Sequence, residues 1–295
     1  MPVRFSDADG TVEAGLRRIA GGQIDAVLEM IRAGTLPPEK IIHEARRTCK
    51  SIRGLMRLVK PVFPAFALEN AAFRDIARSL SAARDAKVLA DALTALQQDD
   101  DPHAMRRLRK RLGLEQARGQ QGDSQLAALE KQLVAARVRA ATWTLRADGW
   151  DALGRGLRRT YRSARRSMNA FMRTGDPRCS HEWRKQVKYH GEHMRLLRDV
   201  AQEPARARKQ RLDKLADLLG VRHDLDVLLD RLAALPPDDE AAIIKSLDER
   251  GRQRIGKLED KACRLGEMLF EERPRRIADQ WGKRWRDWGR EVEAA

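Results

Sequence analysis

The sequence predicts an all-α protein, and three observations support this prediction. Residues with high helix propensity fill almost the whole chain, and runs with the period-two alternation of a half-buried strand are absent. Aromatic residues, which favour strands, make up only 5% of the chain. Clusters of Gly, Pro and Asp interrupt the helix-forming segments, as expected between successive helices.

In the first half of the chain, these breakers separate five predicted helices. The breakers are Pro37-Pro38, Pro61, Pro64 and Pro102. The predicted helices cover residues 11–33, 38–60, 66–98, 102–113 and 124–147.

The second half contains five further predicted helices, again separated by breakers. These are Gly175-Asp176-Pro177, Pro204, Pro236-Pro237 and Pro274. The predicted helices cover residues 149–173, 179–200, 204–234, 238–271 and 274–290.

The two halves form an internal repeat. Leu16-Arg17-Arg18 matches Leu157-Arg158-Arg159 at a separation of 141 residues. The separation becomes 138 from His43/His181 through Arg57/Arg195 to Arg84/Arg222, and 139 from Asp85/Asp224 onward. Since few and short insertions separate the copies, we predict two pseudo-symmetric antiparallel helical bundles, residues 1–147 and 148–295.

Each copy places a row of positive charge on one face of a helix. The first stripe consists of His43, Arg46, Arg47, Lys50, Arg53 and Arg57, and the second stripe consists of His181, Arg184, Lys185, Lys188 and Arg195. Most neighbours in each stripe are three or four residues apart, which puts them on one side of a helix. Like charges at this spacing repel each other by roughly a few tenths of a kcal/mol per pair, so we expect a negatively charged ligand.

A third basic row lies in the predicted helix 149–173. This third basic row contains Arg155, Arg158, Arg159, Arg162, Arg165 and Arg166, with no acidic residue among them. It leaves Leu157, Tyr161, Ala164 and Met168 for packing. The corresponding segment of the first copy keeps Arg17, Arg18 and Arg32, so we expect the second copy to contribute more charge.

The composition also favours a polyanionic partner. The formal net charge is +16 and the sequence pI is about 10.4. Nucleic acid, an anionic membrane and an inorganic polymer would all be attracted, and a basic surface can also serve solubility alone. There is no apolar run of about 20 residues and no secretory segment, and the three cysteines are far apart. We therefore predict a soluble cytoplasmic protein that does not cross a membrane.

The two stripes, together with a second element in each copy, resemble the CHAD family, the conserved histidine α-helical domain. Each histidine is followed by Arg or Lys at +3, +4 and +7, and the second element reads LSAARDAKVL from Leu80 and LLGVRHDLDVL from Leu218. The resemblance covers nearly the whole chain. It implies a two-lobed helical domain that binds inorganic polyphosphate in a basic groove or cavity lined by the histidine helices.

The chemistry of the basic residues fits a phosphate polymer, which offers only repeated oxyanions to a receptor. Arg and Lys supply charge-assisted hydrogen bonds, and the first stripe is about 21 Å long at 1.5 Å per residue. The candidate ligand-binding residues are those of both stripes, five residues of the third basic row, and four further arginines. The five are Arg158, Arg159, Arg162, Arg165 and Arg166, and the four are Arg17, Arg18, Arg84 and Arg222.

Several of these residues also have a structural interpretation. His43 and His181 either contact phosphate or hydrogen-bond within the bundle. Arg84 beside Asp85, and Arg222 near Asp224 and Asp226, most simply form ion pairs, although both could reach ligand. His190 and His193 are three residues apart, but no carboxylate or cysteine completes a metal set, so we predict no metal and no cofactor. The spacing of Trp281, Trp285 and Trp288 indicates a packing face.

Three classes of function compete for these features. We predict non-enzymatic polyphosphate binding in the cytoplasm, with association with polyphosphate granules. The alternative of nucleic-acid binding predicts base-reading groups among the cations, and the stripes contain only Trp183 and Tyr189. A phosphohydrolase is disfavoured because there is no E-x-E-x-K motif and no carboxylate pair to hold a metal against phosphate. An accessory module for enzymes of phosphate-polymer metabolism is a further alternative.

Overall fold

The computed structural model describes residues 3–80, 82–114, 122–236 and 239–293, without the side chains of residues 82–85, 122–123 and 291–293. These residues form eleven α-helices and one short 3-10 turn, Asp7–Asp9, and no strand, which confirms the all-α prediction. No helix in the described ranges has the length and apolar character that a membrane-spanning segment needs. The helices are α1 Val12–Ala33, α2 Pro38–Val59, α3 Phe66–Ser79, α4 Ala82–Leu96, α5 Pro102–Arg111, α6 Gly122–Ala140, α7 Gly149–Thr174, α8 Pro177–Leu196, α9 Gln202–Ala233, α10 Ala241–Phe270 and α11 Pro274–Glu293.

The predicted single helix 66–98 is two helices, α3 and α4, so that prediction was wrong. At Leu80 the backbone leaves the helical conformation, with φ −100° and ψ 15°. The Leu80 N–H donates to the carbonyl of Arg78, and the Leu80 carbonyl accepts a hydrogen bond from Arg46 Nη1 at 2.5 Å. A side chain of α2 therefore satisfies a carbonyl at the break. The repeat counterpart, Leu218, lies inside the continuous helix α9.

The predicted helix 124–147 ends at Ala140, seven residues early. The Thr142 hydroxyl donates to the carbonyl of Arg139, and the Leu145 N–H donates to Glu13 Oε2 at 2.6 Å. Trp143 is buried, with its ring centroid 5.2 Å from that of Phe63. Side-chain hydrogen bonds and aromatic packing therefore fold this segment back onto α1 and the end of α2 instead of continuing the helix.

Two hydrophobic clusters hold the helices together. The main core takes residues from α1, α2, α3, α6, α7, α8, the first half of α9, the end of α10, and α11. The distal core takes residues from α4, α5, the second half of α9 and the first half of α10. Each cluster contains residues from both halves of the repeat, so the division at residue 147 stays a prediction about the two sequence copies.

Helix α2 packs very closely on both α7 and α8, at two glycines. A Cβ built on Gly156 of α7 would lie 1.7 Å from the carbonyl oxygen of Leu58. A Cβ built on Gly54 of α2 would lie 2.5 Å from Cγ of Glu192 on α8. Because the obstacle at Gly156 is backbone, that contact tolerates no side chain. The glycines thus set how closely the helices that carry the stripes approach each other.

Two fully buried histidines lie on the inner face of α8. His193 Nε2 donates to the carbonyl of Gly54 at 3.1 Å, which leaves Nδ1 unprotonated in the neutral ring. His190 Nε2 accepts a hydrogen bond from Arg208 Nε at 2.9 Å. Burial lowers the pKa of His193 to about 3 and lowers the pKa of His190 well below its usual value. Both rings are therefore neutral in the folded protein.

We expect these histidines to make folding stability dependent on pH in the acidic range. The unfolded chain binds protons at both residues below about pH 6.5, whereas folded His193 stays neutral down to about pH 3. The free energy of unfolding should therefore decrease as the pH is lowered through this window. The decrease is up to about 1.4 kcal/mol per pH unit for each histidine. His193→Leu, which introduces the residue found at its repeat counterpart Leu55, should reduce this slope in urea titrations between pH 7 and 5. The exposed His103→Gln is the matched control, and an unchanged slope in His193→Leu would contradict the assignment.

Candidate functional site

The first stripe lies on the face of α2 opposite its buried residues. Ala45, Cys49 and Ile52 are fully buried in the main core. His43, Arg47 and Lys50 are exposed, whereas Arg46, Arg53 and Arg57 are partly buried. The stripe thus begins in solvent near the start of α2 and becomes progressively enclosed toward its end.

The second stripe follows the same course on α8. His181 and Lys188 are exposed, and Arg184, Lys185 and Arg195 are partly buried. The apolar face of α8 buries Trp183, Val187 and Met194 in the main core. Trp183 is therefore a packing residue, and its ring is not available to a ligand.

One basic residue in each stripe contacts the next helical element of its own copy. Arg46 donates to the Leu80 carbonyl at the end of α3. The Arg184 guanidinium lies so close to α9 that a Cβ on Gly220 would be 3.1 Å from its Nη2. Since Leu80 and Leu218 are repeat counterparts, the two arginines occupy equivalent places. They attach each stripe to the element that follows it.

Each stripe also contains a glutamate one turn before a cation, which the charge argument from sequence overlooked. Arg47 pairs with Glu44 at 2.6 Å, and Lys185 pairs with Glu182 at 2.6 Å. Glu44 and Glu182 are separated by the repeat interval of 138 residues. The Arg47 side chain is 71% exposed, and such surface pairs contribute about 0–1 kcal/mol. A multivalent anion can therefore displace them at little cost.

The stripes meet where α2 and α8 cross in antiparallel directions. The Arg57 guanidinium carbon lies 3.9 Å from the ring centroid of Tyr189, and Arg195 Nη2 donates to Ser51 Oγ at 2.5 Å. The repeat interval makes Arg57 equivalent to Arg195 and Ser51 equivalent to Tyr189. In each copy, the arginine at this repeat position therefore contacts the equivalent position of the other copy.

Four cations collect around the first of these reciprocal contacts, and we call them the Arg57 cluster: Arg53, Arg57, Lys60 and Arg159. Both Arg53 Nε and Arg57 Nη1 donate to Asn70 Oδ1, at 3.2 and 2.8 Å. Lys60 Nζ lies 4.4 Å from the ring centroid of Phe66. Among the described residues, no carboxylate forms an ion pair with any member of the cluster.

The surroundings of Arg57 and Lys60 disfavour the positive charge of these two side chains. Burial lowers the pKa of Arg57, and Arg53 contributes to the same effect. Burial lowers the pKa of Lys60, and Arg159 and Arg57 lower it further. The cations are held by an amide oxygen and by aromatic faces, which are neutral partners. An anion at this place would supply the missing negative charge.

The second reciprocal contact is electrostatically different. Arg195 forms an ion pair with Glu192, and the Ser51 hydroxyl donates to Glu192 Oε1 at 2.8 Å. The repeat counterpart of Glu192 is Gly54, so the first copy has no carboxylate at this position. The crossing is therefore basic on the Arg57 side and neutralised on the Arg195 side.

His181 has a partner that the sequence did not predict. Its ring centroid lies 4.9 Å from that of His223 on α9. Burial lowers the pKa of His181, and Lys185 and Arg184 lower it further. Burial likewise lowers the pKa of His223, followed by the effect of His181. His223 is the additional residue that changes the repeat interval from 138 to 139, and only this insertion indicated it.

The third basic row lies on α7, and we call it the α7 row. Some of its arginines face solvent and others make internal contacts. Arg159 and Arg166 are exposed, and Arg158, Arg162 and Arg165 are partly buried. Arg165 Nη1 donates to the carbonyl of Glu272 at 3.2 Å. The four residues predicted to pack, Leu157, Tyr161, Ala164 and Met168, are all buried, as expected.

Three other candidate residues take part in internal ion pairs. Arg17 pairs with Glu13 at 2.6 Å and Arg18 pairs with Asp9 at 2.5 Å. Arg222 is buried and pairs with Asp226 and Glu259, in agreement with the structural interpretation of this residue. Arg84 was also a candidate, but its side chain lies outside the described residues.

The remaining features singled out in the sequence are also located. His190 and His193 point into the main core, and no group of three His, Cys, Asp or Glu residues in the described ranges is arranged to hold a metal ion. Trp281 is buried, and Trp285 and Trp288 pack against the main core. The tryptophans therefore form a packing face, as predicted.

A comparison with known protein families identifies the family of this chain. The CHAD domain family model matches residues 18–233, which run from α1 to the end of α9. No curated protein matches the chain. The matched region is well over half of the sequence and contains both stripes, their crossing and the Arg57 cluster. This chain belongs to the CHAD domain family.

Proposed function

We propose that this protein binds inorganic polyphosphate, without turning it over, along the two stripes and the α7 row where α2 and α8 cross. The observation that carries the proposal is the Arg57 cluster, in which the partly buried Arg53, Arg57 and Lys60 contact an amide oxygen and aromatic rings. We also propose that the chain lies in the cytoplasm and associates with polyphosphate granules. Microscopy of a fluorescently tagged chain tests this location.

Electrostatics explain why such a cluster would hold phosphate strongly. Two unit charges 4 Å apart attract by about 4 kcal/mol at an effective dielectric constant of 20, compared with about 1 kcal/mol in bulk water. Arg57 is partly desolvated before any ligand arrives, as its lowered pKa indicates. Binding therefore costs little further desolvation on the protein side, and each contact with a phosphate oxygen is charge-assisted.

The exposed parts of the stripes extend this site in both directions. His43, Arg47 and Lys50 continue along α2, and His181 and Lys188 continue along α8. The first stripe alone is about 21 Å long, enough for several consecutive phosphates of an extended chain. A polymer can therefore contact many cations at once, whereas a single orthophosphate ion contacts only the cations around one position.

The surroundings of the two aromatic residues favour polyphosphate over nucleic acid. Trp183 is fully buried, and one face of Tyr189 is covered by the Arg57 guanidinium at 3.9 Å. Single-stranded nucleic-acid sites present open aromatic faces on which bases stack, each worth about 1–3 kcal/mol. The stripes offer cations without such stacking surfaces, which suits a ligand that has no bases.

We expect long-chain polyphosphate to outcompete single-stranded DNA at matched phosphate concentration and physiological salt. Arg57→Gln/Lys60→Gln should weaken polyphosphate binding at least about tenfold, since each lost charge-assisted hydrogen bond costs about 1.5–3 kcal/mol. The matched control is Arg252→Gln/Arg290→Gln, which removes the same charge from exposed positions of α10 and α11. Calorimetric titration measures the affinities, and Lys60→Gln alone covers the case in which the double variant melts early.

Three results would contradict this proposal. Affinity that barely changes between low and moderate salt would exclude an electrostatic groove, because each neutralised phosphate releases counterions. An equal loss in the control variant would mean that net charge, not the cluster, determines binding. Release of orthophosphate from polyphosphate by the purified protein with Mg²⁺ would overturn the assignment as a binder without turnover.

A second prediction concerns Glu192, which neutralises the Arg195 side of the crossing. Glu192→Gln keeps a hydrogen-bond acceptor for Ser51 and Arg195 but removes the negative charge. Polyphosphate affinity should therefore increase severalfold, with a steeper dependence on salt. Glu203→Gln, which removes the same charge from a side chain that is 81% exposed on α9, should change affinity less. A weaker complex with an unchanged melting temperature would show instead that the carboxylate positions Arg195 for the ligand.

A third prediction concerns His43 and His181. Because burial and neighbouring cations lower the pKa of His181, its ring is mostly neutral at pH 7 in the free protein. A bound polyanion raises that pKa, so affinity should rise as pH falls from the pKa of the complex toward the pKa of the free protein. Titrations at pH 7.5 and 6, in buffers of different ionisation enthalpy, measure the accompanying proton uptake.

The double variant His43→Gln/His181→Gln distinguishes the two interpretations of these histidines. If they contact phosphate as cations, the variant loses the pH dependence and keeps its melting temperature, because glutamine retains a donor but never carries charge. If the variant melts earlier while the dependence on pH stays unchanged, both residues only support the bundle.

A further inference from the structure

A second group of arginines surrounds a cavity that none of the stripe residues line. The cavity, of about 220 Å³, lies between the start of α9, the end of α10 and α11. Its charged lining residues are Arg208, Arg211, Arg284 and Glu272, and its walls include Leu269, Ile277 and Trp281. None of its lining residues belongs to α2 or α8. A larger groove between α9 and α10 is lined by Asp213, Asp217 and Lys214 and does not suit an anion.

Arg208 is the central observation, because it is a partly buried cation whose hydrogen-bond acceptors are neutral groups. Its Nε donates to His190 Nε2 at 2.9 Å, and its Nη2 donates to the carbonyl of Leu269 at 2.7 Å. Its guanidinium carbon lies 5.5 Å from the ring centroid of Tyr161. Burial lowers the pKa of Arg208 and Arg211 adds to this effect, whereas Tyr161 and the Glu272 carboxylate partly offset it. A second anion beside Arg208 and Arg211 would favour their charged forms further.

The carboxylate that lines the cavity already has other partners. Glu272 Oε2 accepts a hydrogen bond from Gln280 Nε2 at 3.0 Å and pairs with Arg276 Nε at 3.2 Å. Arg284 rests over the ring of Trp281, with its guanidinium carbon 5.2 Å from the centroid. Three guanidinium groups against one carboxylate leave two positive charges along the cavity wall.

We propose that this cavity binds a compact multivalent oxyanion of the inorganic phosphate or pyrophosphate class. Two excess positive charges match a multivalent anion and would be only half neutralised by a monocarboxylate. The volume is below the roughly 300–1,000 Å³ of pockets for drug-sized ligands, so the occupant is small. Guanidinium groups bind two oxygens of such an anion at once, and the arginines on the cavity wall come from both α9 and α11.

The role of His190 follows from the same contacts. By accepting from Arg208 Nε, the neutral ring fixes the guanidinium in place, and this requires an unprotonated Nε2. Burial keeps the ring in that form. His190 is thus a positioning residue for the cavity.

Calorimetric titration of the intact protein with pyrophosphate tests this proposal. Arg211→Gln/Arg284→Gln alters the lining and spares Arg208, whose hydrogen bonds to His190 and to the Leu269 carbonyl make its replacement a risk to folding. We expect pyrophosphate affinity to fall at least about tenfold, since two charge-assisted contacts are lost. Arg206→Gln/Arg252→Gln removes the same charge from exposed positions outside the cavity and should retain the affinity of the unmodified protein.

The stripe variant Arg57→Gln/Lys60→Gln separates this proposal from polyphosphate binding at the crossing. It should bind pyrophosphate as the unmodified protein does, even though its affinity for the polymer is reduced. If long-chain polyphosphate displaces pyrophosphate from this variant, the natural occupant is an end group of the polymer; if it does not, the occupant is the free ion. Pyrophosphate binding that is absent, unaffected by Arg211→Gln/Arg284→Gln, or lost in the stripe variant would overturn the cavity proposal.

Discussion

The crossing of α2 and α8 is the constraint on which the rest of the site depends. Its closeness requires Gly54, because a Cβ there would meet Glu192 at 2.5 Å. At this separation Arg57 reaches Tyr189 and Arg195 reaches Ser51, so each copy of the repeat completes the other. Two rows of like charge would repel each other across such a contact. The aromatic ring, the hydroxyl and the Glu192 carboxylate instead give each arginine a favourable partner.

The same crossing makes the two copies unequal. Where one copy has Gly54, the other has Glu192, and the carboxylate neutralises Arg195 while Arg57 keeps only neutral partners. One difference at a repeat position therefore gives Arg195 a carboxylate partner that Arg57 lacks. Duplicated helices repeat the row of cations, and this difference distinguishes the two ends of the crossing.

Helix periodicity and the repeat predicted the fold class, both stripes and the face on which each lies, because these depend on residues three or four apart in one helix. The break at Leu80 was not predicted, and its carbonyl bonds to Arg46 of another helix, a contact that periodicity within one helix does not indicate. Nor could Asn70 and Phe66 be connected with Arg57, because the packing of α3 against α2 brings them together. Lys60 follows Arg57 by three residues in the predicted helix 38–60, and the sequence interpretation overlooked it. Periodicity also failed to distinguish the cations of the crossing from Arg17 and Arg18, whose carboxylate partners lie four and nine residues away.

Helix α8 connects the two basic regions through its buried face. His193 donates a hydrogen bond to the Gly54 carbonyl at the crossing. His190, one turn earlier, accepts a hydrogen bond from Arg208, which lines the cavity between α9, α10 and α11. Both bonds require neutral rings, and burial in the main core maintains that state. The position of Arg208 and the attachment of α8 to α2 therefore depend on the same low-dielectric environment. A core substitution that admits water near either ring would disturb both regions together, although none of the cations that face solvent had changed.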